Sequence, residues 1–270
     1  MIKKLKKLNL ILLTVFATFA LASCGGGGGG GGSSEGAGGG GGVSVSSDTK
    51  TLQTSTIIQY AADDTWSYNV AITNTDGKKT ENHSGTMVKL VMPSAVLSPV
   101  SGSGCSDLSK VYTFGDGSGT TSHVYFLQNP DGTIVICGVE SSGTATWVAT
   151  PAAGYYSDYV SPMSVGQTFN QTVTFTNGKT GSYPYTVEAV DTVTVPFGKF
   201  EAYRITKSMS YDLTDNSRLV LTETDYFVPG LGSIKTVKSG TFYYDDPEQG
   251  PTIVGSFTET LTLTGTTVVY

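Results

Sequence analysis

Beyond residue 50, apolar and polar side chains alternate along much of the chain. The clearest case is the segment 66–73, in which large apolar or aromatic residues occupy the even positions, Trp66, Tyr68, Val70 and Ile72. Similar patterns occur at 168–175, 187–195 and 260–264. Such alternation is typical of antiparallel strands with one buried face, and the frequent Thr, Val and Tyr residues favour strands. No stretch past residue 50 has the apolar face of an amphipathic helix, so the pattern predicts an all-β domain.

Turn signals separate the predicted strands. Asp76-Gly77, Asp131-Gly132 and Asn177-Gly178 are dipeptides that favour hairpin turns, and Asp215-Asn216 is a weaker signal between strands predicted at 200–211 and 219–228. We therefore expect a large antiparallel sheet of about 12 strands, strongly curved or forming a half-barrel. A weak similarity between 63–68 and 164–169 suggests two related halves, 49–160 and 161–270.

Residues 1–23 have the three parts of a secretory signal peptide. Lysines occupy positions 3, 4, 6 and 7, an apolar stretch covers 8–20, and small residues lead up to Cys24. The apolar stretch is shorter than the roughly 20 residues of a membrane-spanning helix. The sequence Leu21-Ala22-Ser23-Cys24 closely resembles the lipobox of bacterial lipoproteins. The alternative is an ordinary signal peptide cut near Ala22, with an incidental cysteine.

The lipobox resemblance implies that the peptide is cut before Cys24, which then carries diacylglycerol on its sulfur and often a further acyl chain, such as palmitate, on its amino group. Two or three acyl chains hold a protein on a membrane stably, whereas one binds marginally. In Gram-negative lipoproteins an aspartate after the cysteine is the usual inner-membrane retention signal, and this chain has Gly25 there. For a Gram-negative host the resemblance implies an outer-membrane lipoprotein of the cell envelope, on either face.

A glycine-rich segment separates Cys24 from the predicted domain. Residues 25–42 contain 14 of the 35 glycines of the chain, so we expect a flexible tether over 24–48. Roughly 25 such residues have an end-to-end distance of about 25–30 Å, enough to lift a domain clear of lipid headgroups. Two interpretations remain open: a spacer that gives the domain reach, and a harmless expansion of a glycine-codon repeat.

The charge balance limits the partners of the domain, residues 49–270. Removal of the signal peptide takes away four lysines and leaves 12 basic against 22 acidic residues, a formal charge of −10. An acidic surface argues against nucleic acid as a partner and against electrostatic docking on anionic lipid. Contact with the membrane lipid is therefore expected through acylated Cys24.

Cys105 and Cys137 are the remaining cysteines. Export places them in an oxidising compartment, where an even pair usually forms a disulfide. Closing a loop of this length stabilises the fold by about 3–4 kcal/mol in the chain-entropy model. A metal site would need more ligands than two thiols at this spacing, so we expect a disulfide and no metal.

Two further motifs resemble a recurrent pattern in uncharacterised Gram-negative lipoproteins. One is V-x-V-P-x-G-x-F, ending at Phe200, and the other runs from Tyr226 through Pro229-Gly230-Leu231-Gly232; the W-x-Y at 66–68 matches the start of the same proteins. This chain departs from the pattern at Phe197 and Ser233. The resemblance implies a curved antiparallel sheet, similar in outline to the sheets that carry lipoproteins between membranes, and indicates no activity.

The residues of these motifs also have a structural interpretation. Proline and glycine end strands and reverse the chain, and Phe200 can re-enter the core after the first turn. We expect turn and packing roles for the six motif residues, with a shared ligand-binding edge as the alternative: Pro196, Gly198, Phe200, Pro229, Gly230 and Gly232.

Signatures of catalysis are missing from residues 49–270. This part of the sequence has no G-x-S-x-G elbow, no H-E-x-x-H and no C-x-x-C, and its histidines are His83 and His123. Acidic residues at 245–248 could bind calcium, although a solvated turn is the simpler interpretation. We expect neither an enzyme nor a bound cofactor.

Tyrosines are frequent, with 15 in the chain. Tyr155, Tyr156 and Tyr159 lie in a segment flanked by Pro and Ser and could contact a glycan or protein, although tyrosine is also a common strand residue. The leading hypothesis is a non-enzymatic binding or scaffolding module whose concave sheet face takes a hydrophobic or lipid-like ligand. The alternative is a surface-exposed adhesion or interaction module that uses tyrosine-rich loops.

Overall fold

The computed structural model describes residues 48–57, 60–76, 79–93, 110–115, 121–141, 144–147, 156–174, 180–214 and 216–270. Within these ranges every regular element is a β-strand. The predicted signal peptide, Cys24 and the tether up to residue 47 lie outside them, as do Cys105 and Tyr155. No helix in the described part of the chain is long and apolar enough to cross a membrane.

In the described part of the chain, sixteen strands form one hydrogen-bonded sheet. In chain order they are β1 (Thr49–Lys50), β2 (Thr65–Asp76), β3 (Lys79–Pro93), β4 (Lys110–Gly115), β5 (Thr121–Gln128), β6 (Ile134–Ser141), β7 (Thr144–Trp147), β8 (Tyr156–Tyr159), β9 (Thr168–Phe169), β10 (Thr172–Thr174), β11 (Thr180–Ser182), β12 (Tyr185–Val195), β13 (Gly198–Thr214), β14 (Ser217–Val228), β15 (Gly232–Asp246) and β16 (Gly250–Thr266).

The order of the strands in the sheet is β10-β11-β13-β14-β15-β16-β2-β3-β4-β5-β6-β7. The other four attach at the sides, with β1 and β12 beside β13, β9 beside β12, and β8 beside β6. All pairs are antiparallel except β1 with β13. The predicted all-β antiparallel architecture is confirmed, and among the described strands the two ends of the sheet do not pair, so it is open.

Several strands are shorter than the sequence pattern predicts. The strand predicted at 168–176 is divided into β9 and β10, and Pro184 separates β11 from β12. Proline has no N–H to donate to a strand ladder, which explains the second break. Such pieces bring the number of strands to sixteen, against the expected count of about 12.

The predicted turns fall between strands. Gly132 has φ +91° and lies in the loop between β5 and β6, where Asn129 N donates to Thr133 O at 2.9 Å. This loop spans 129–133, so the Asp131-Gly132 pair belongs to a longer turn than the two-residue type. Asn216 adopts φ +59° between β13 and β14. Asn177-Gly178 lies outside the described residues, between the paired strands β10 and β11.

Period-two alternation determines which side chains are buried. On β14 the residues Leu219, Leu221, Glu223, Asp225 and Phe227 are buried, while most of the residues between them are half-buried or exposed. We use "inner face" for the buried side of the six neighbouring strands β13, β14, β15, β16, β2 and β3. The core on this side includes residues from both halves of the chain, since β16 pairs with β2 and one hydrophobic cluster contains Phe126 and Phe227.

Candidate functional site

A row of four charged residues crosses the inner face. Lys207, Glu223, Lys238 and Glu259 are direct cross-strand partners on β13, β14, β15 and β16. Their charges alternate, with nitrogen-to-oxygen distances of 3.4 Å for Lys207–Glu223, 3.6 Å for Lys238–Glu223 and 3.5 Å for Lys238–Glu259. We call this row the ionic ladder. The side chains of the first three are at most 4% exposed and that of Glu259 is 13% exposed.

Apolar residues lie on both sides of the ladder. The same face carries Leu221 and Phe257 in one direction and Ile205 and Leu261 in the other, all buried. Removing four charges from water costs several kcal/mol per ion, which is offset only when each charge has close opposite partners. The alternation of sign provides these partners, because each of the two middle residues, Glu223 and Lys238, lies between two residues of opposite charge.

Asp225 lies beside the ladder and accepts three side-chain hydrogen bonds. Ser233 Oγ donates to its Oδ2 at 2.8 Å, Thr236 Oγ1 donates to its Oδ1 at 3.0 Å, and the hydroxyl of Tyr159 donates to its Oδ2. The Tyr159 ring stacks on Phe227 at 4.4 Å between centroids. Asp225 is 1% exposed, so its oxygens depend on these donors.

Burial changes the acidity of two carboxyl groups here. Desolvation raises the pKa of Asp225, opposed by the positive charge of Lys207 and assisted by the negative charge of Glu223, while the hydrogen bonds from Tyr159 and Ser233 lower it. Desolvation also raises the pKa of Glu259, opposed by Lys238. Asp225 is buried and the Glu259 side chain is largely buried, so the arrangement forms a packed polar network.

The sequence analysis missed the ionic ladder, although a signal for it is present. Lys207 lies between Ile205 and Met209, and Glu223 follows Leu221, so each charge occupies a position that the alternation assigns to the buried face. A single charged residue at such a position does not predict an ion pair. Opposite charges at matching positions of neighbouring hairpin strands indicate a buried ion-pair row.

The W-x-Y and P-G-x-G motifs form one packed unit. Trp66 Nε1 donates to Leu231 O at 2.6 Å, and the Tyr68 hydroxyl donates to Ser233 O at 2.9 Å. Gly232, between those two carbonyls, has φ +104°, and a Cβ there would lie 3.3 Å from Trp66 Nε1 and 3.4 Å from the Tyr60 hydroxyl. The close approach and the positive φ require glycine here, which favours a structural role for this turn.

The V-P-x-G-x-F motif lies beside β1. Phe200 is fully buried, and a Cβ on Gly198 would lie 3.1 Å from its ring. The Lys50 ammonium lies 5.3 Å from the Phe200 ring centroid and 5.6 Å from that of Phe197. Pro196 is exposed, whereas Pro229 and Gly230 are buried, with Tyr270 packed against Gly230. These contacts support packing roles, and none of them favours the alternative of a ligand-binding edge.

The three tyrosines predicted as ligand contacts do not form an exposed group. Tyr159 is 4% exposed and packs inward on Asp225 and Phe227. Tyr156 lies on β8, with its side chain outside the described residues, as is all of Tyr155. The local Pro and Ser context suggested a loop, but Tyr159 ends strand β8, which pairs with β6, and its side chain reaches Asp225 and Phe227 on β14.

Other candidate residues have local roles or lie outside the description. Cys137 is on β6, but its side chain and Cys105 lie outside the described residues, so the disulfide stays a prediction. His83 is exposed and lies 3.8 Å from Glu81. In the acidic turn, Asp246 Oδ1 accepts from Glu248 N at 2.9 Å, and Asp245 pairs with Arg218 at 3.1 Å. Among the described residues no three His, Cys, Asp or Glu side chains cluster as metal ligands.

The opposite side of the same six strands carries hydroxyl groups. We call three adjacent cross-strand rows on this side the hydroxyl face: Thr206, Thr224, Val237, Thr260, Ala71 and Ser84; Ser208, Thr222, Ser239, Thr258, Thr73 and Asn82; and Ser210, Val220, Thr241, Ser256, Thr75 and Thr80. Fourteen of these eighteen residues are Ser or Thr, none is charged, and none is buried.

Rows with aromatic rings and cations border the hydroxyl face along the strands. At one end Lys235 Nζ lies 5.7 Å from the Tyr226 ring centroid, and at the other the Arg218 guanidinium lies 4.5 Å from that of Tyr243. Ile253, opposite Tyr243, is 63% exposed. The strands thus place the ionic ladder in the interior and three uncharged, hydroxyl-rich rows on the solvent side.

Comparison with known proteins gives little further guidance. No protein-family model matches the chain, and no curated protein matches it in sequence. One solved structure to which it is similar is that of a protein from Parabacteroides distasonis described as "a putative lipoprotein". The identity is 10%, the match covers 78% of this chain and 98% of that chain, and the TM-score is 0.31.

Proposed function

We propose that the chain is a lipid-anchored protein of the bacterial cell envelope, at the outer membrane, whose β domain is a non-enzymatic binding module that acts through its surface. The anchor is supported by the Leu21-Ala22-Ser23-Cys24 sequence and by the basic and apolar segments before it. The distribution of charge carries the binding proposal: the ionic ladder and the apolar residues around it are packed into the core, whereas the hydroxyl face is uncharged and half-buried or exposed.

The packing of the inner face favours surface binding over a hydrophobic ligand in a concave cavity. Leu221, Phe242 and Leu261 are at most 1% exposed, so the domain fills this face with its own side chains. The ionic ladder also crosses the centre of the face, where an acyl chain would meet desolvated charges. A lipid-like ligand therefore has no support from the described strands.

The buried position of the carboxylates supports a non-enzymatic role. Glu223, Asp225 and Glu259 lie together in the interior, and their partners are other side chains of the domain. A general acid or base must reach the proton that it transfers, directly or through one water. Side chains sealed inside the core do not meet that requirement.

The anchor is tested with Cys24→Ala and the matched control Ser23→Ala, each expressed as the full chain in a Gram-negative host. We expect the wild type and Ser23→Ala to be acylated, to partition into detergent and to sediment with outer membranes. Cys24→Ala should lose the acyl label and appear in the soluble fraction. An unlabelled wild type, or a Cys24→Ala variant that stays processed and membrane-bound, would refute the anchor.

A further inference from the structure

We infer that the hydroxyl face is a binding surface for a neutral polysaccharide. This inference rests on the proposed function, since it names the ligand class for a domain that binds through its surface. It is carried by the chemistry of the eighteen residues of the hydroxyl face and by the way the same strands separate charge from hydroxyl groups.

The three rows of the hydroxyl face contain no charged residue, although the rows that border them carry Lys235 and Arg218. Lys, Arg, Glu and Asp make up 14% of the chain, so roughly two or three charged residues would be ordinary among these eighteen positions. The hydroxyl face has none. The opposite side of the same six strands holds the four ladder residues and Asp225, so the strands themselves are not poor in charge. Charged side chains make a solvated surface more soluble, whereas a surface that is covered by a neutral ligand has no such need of them.

Serine and threonine match a sugar polymer in hydrogen bonding. Each hydroxyl donates one hydrogen bond and accepts two, as sugar hydroxyls do, so either partner can be the donor. A charged side chain covered by a neutral ligand would lose its hydration without a compensating partner. The threonine methyl groups, with Val220 and Val237, present apolar patches for the C–H faces of sugar rings.

Other classes of partner fit the hydroxyl face less well. Nucleic acids and anionic lipids need Lys and Arg, which are missing from the face. Protein interfaces are enriched in aromatic residues, Met and Arg and depleted in Ser. Aromatic residues beside cations, which are typical of protein interfaces, occur at the borders of the hydroxyl face, at Tyr226 and Tyr243.

The geometry of the sheet suits a repeating ligand. Neighbouring strands are about 4.8 Å apart and alternate residues of one strand about 6.7 Å apart, so the hydroxyl groups form a regular array. Once one sugar unit of a repeating chain is bound, its neighbours are held close to the next hydroxyl groups, so many weak contacts together raise the overall affinity. Tyr226 on β14 pairs with Lys235 on β15, and Tyr243 lies eight residues further along β15. The rings of Tyr226 and Tyr243 are therefore about 27 Å apart along the strands. On this proposal they stack on sugars at the two ends of the hydroxyl face.

The test is affinity electrophoresis of the detergent-solubilised full chain in native gels that contain dextran, amylose or mannan. Polygalacturonate, an anionic polysaccharide, is the comparison. We expect retarded migration with at least one neutral polysaccharide and none with polygalacturonate. Ser239→Lys combined with Thr258→Lys places two charges at the centre of the face and should weaken binding at least tenfold.

The matched control is Thr192→Lys combined with Thr194→Lys, which places the same charges at exposed positions of β12, away from the hydroxyl face. It should bind like the wild type, and thermal unfolding should show that both double variants are folded. The inference is overturned if no neutral polysaccharide retards the chain, if polygalacturonate alone does, or if both double variants bind equally. Concentration-dependent dimerisation that Ser239→Lys with Thr258→Lys abolishes would also overturn it, in favour of a second copy of the chain. Acylation of Cys24 is measured separately, so a failed binding test leaves the anchor intact.

Discussion

The hydroxyl of Tyr159, at the end of β8, donates a hydrogen bond to the carboxylate of Asp225 in the middle of β14. The β8 strand itself pairs with β6, in the other half of the chain. Tyr159 also stacks on Phe227, and Lys207 Nζ lies 4.2 Å from the centroid of its ring. This side chain therefore connects the β6–β8 part of the sheet to the central strands and covers one side of the ionic ladder.

Tyr159→Phe should destabilise the domain. The ring and its stacking remain, but Asp225 loses one donor in a buried setting, so we expect a loss of about 1–3 kcal/mol in the free energy of unfolding. Urea titration followed by fluorescence measures it. Tyr226→Phe, on the half-buried side of β14, is the control and should change the free energy of unfolding by less than about 0.5 kcal/mol. Equal effects would mean that the bond to Asp225 contributes nothing specific.

The ionic ladder should respond strongly to the loss of a single charge. Glu223→Gln leaves Lys207 and Lys238 without the carboxylate that lies between them, and we expect destabilisation by about 3–5 kcal/mol. The exposed pair of Glu188 with Arg204 is the control, and Glu188→Gln should cost less than about 1 kcal/mol. A Glu223→Gln variant as stable as Glu188→Gln would contradict this account.

Replacing the whole ladder with apolar side chains tests its purpose. The combined variant Lys207→Met, Glu223→Leu, Lys238→Met and Glu259→Leu should recover most of the stability lost in Glu223→Gln, because well-packed apolar groups carry no desolvation cost. Recovery would indicate that the ladder contributes to specificity of strand pairing more than to stability. Urea titration measures the recovery, and a variant that is no more stable than Glu223→Gln, or that fails to fold, would contradict this expectation.

The raised pKa values of Asp225 and Glu259 predict that stability rises as the pH falls from neutrality. In the range above their ordinary pKa values of 3.8 and 4.5, the folded state holds these protons more tightly than the unfolded state. Stability contributed by the protonated groups is therefore lost as the pH rises through the folded-state pKa values. Urea midpoints between pH 7 and pH 5 should show the rise, and Asp225→Asn should flatten it.

Three glycines should tolerate alanine to different degrees. Gly232→Ala meets both a φ of +104° and the side chains of Trp66 and Tyr60, so we expect a loss of more than about 2 kcal/mol. Gly250 has φ +80° but no atom within 4 Å of a Cβ, so its substitution should cost only the backbone term, about 1–2 kcal/mol. Gly265→Ala meets neither obstacle and should be neutral or stabilising. Thermal unfolding gives the order, and any other order would contradict the argument.

The fold class could be predicted from the sequence because period-two alternation is a local property. Trp66 and Tyr68 are buried as their pattern indicates, and Asn216 adopts the positive φ expected of a turn. The ionic ladder required the register of four strands, which single strands do not specify. The burial of Tyr159 depends on the packing of its side chain, carried by β8 beside β6, against Asp225 and Phe227 of β14, and the neighbouring residues hold no signal for that contact. Separate motifs gave no indication that Trp66 and Tyr68 would bond to the turn at 231–233, far along the chain.

The attachment of β1 determines how the domain takes mechanical load. A pull transmitted through the segment before Asp48 reaches the sheet at the two-residue parallel pairing of Thr49 and Lys50 with β13. Close behind it are two single contacts, Leu52 N with Glu201 Oε2 at 3.1 Å and the Tyr270 hydroxyl with Thr51 O at 2.7 Å. These bonds should detach one after another before the long registers of β13 to β16 carry tension, so the domain has a short extensible element where force enters it.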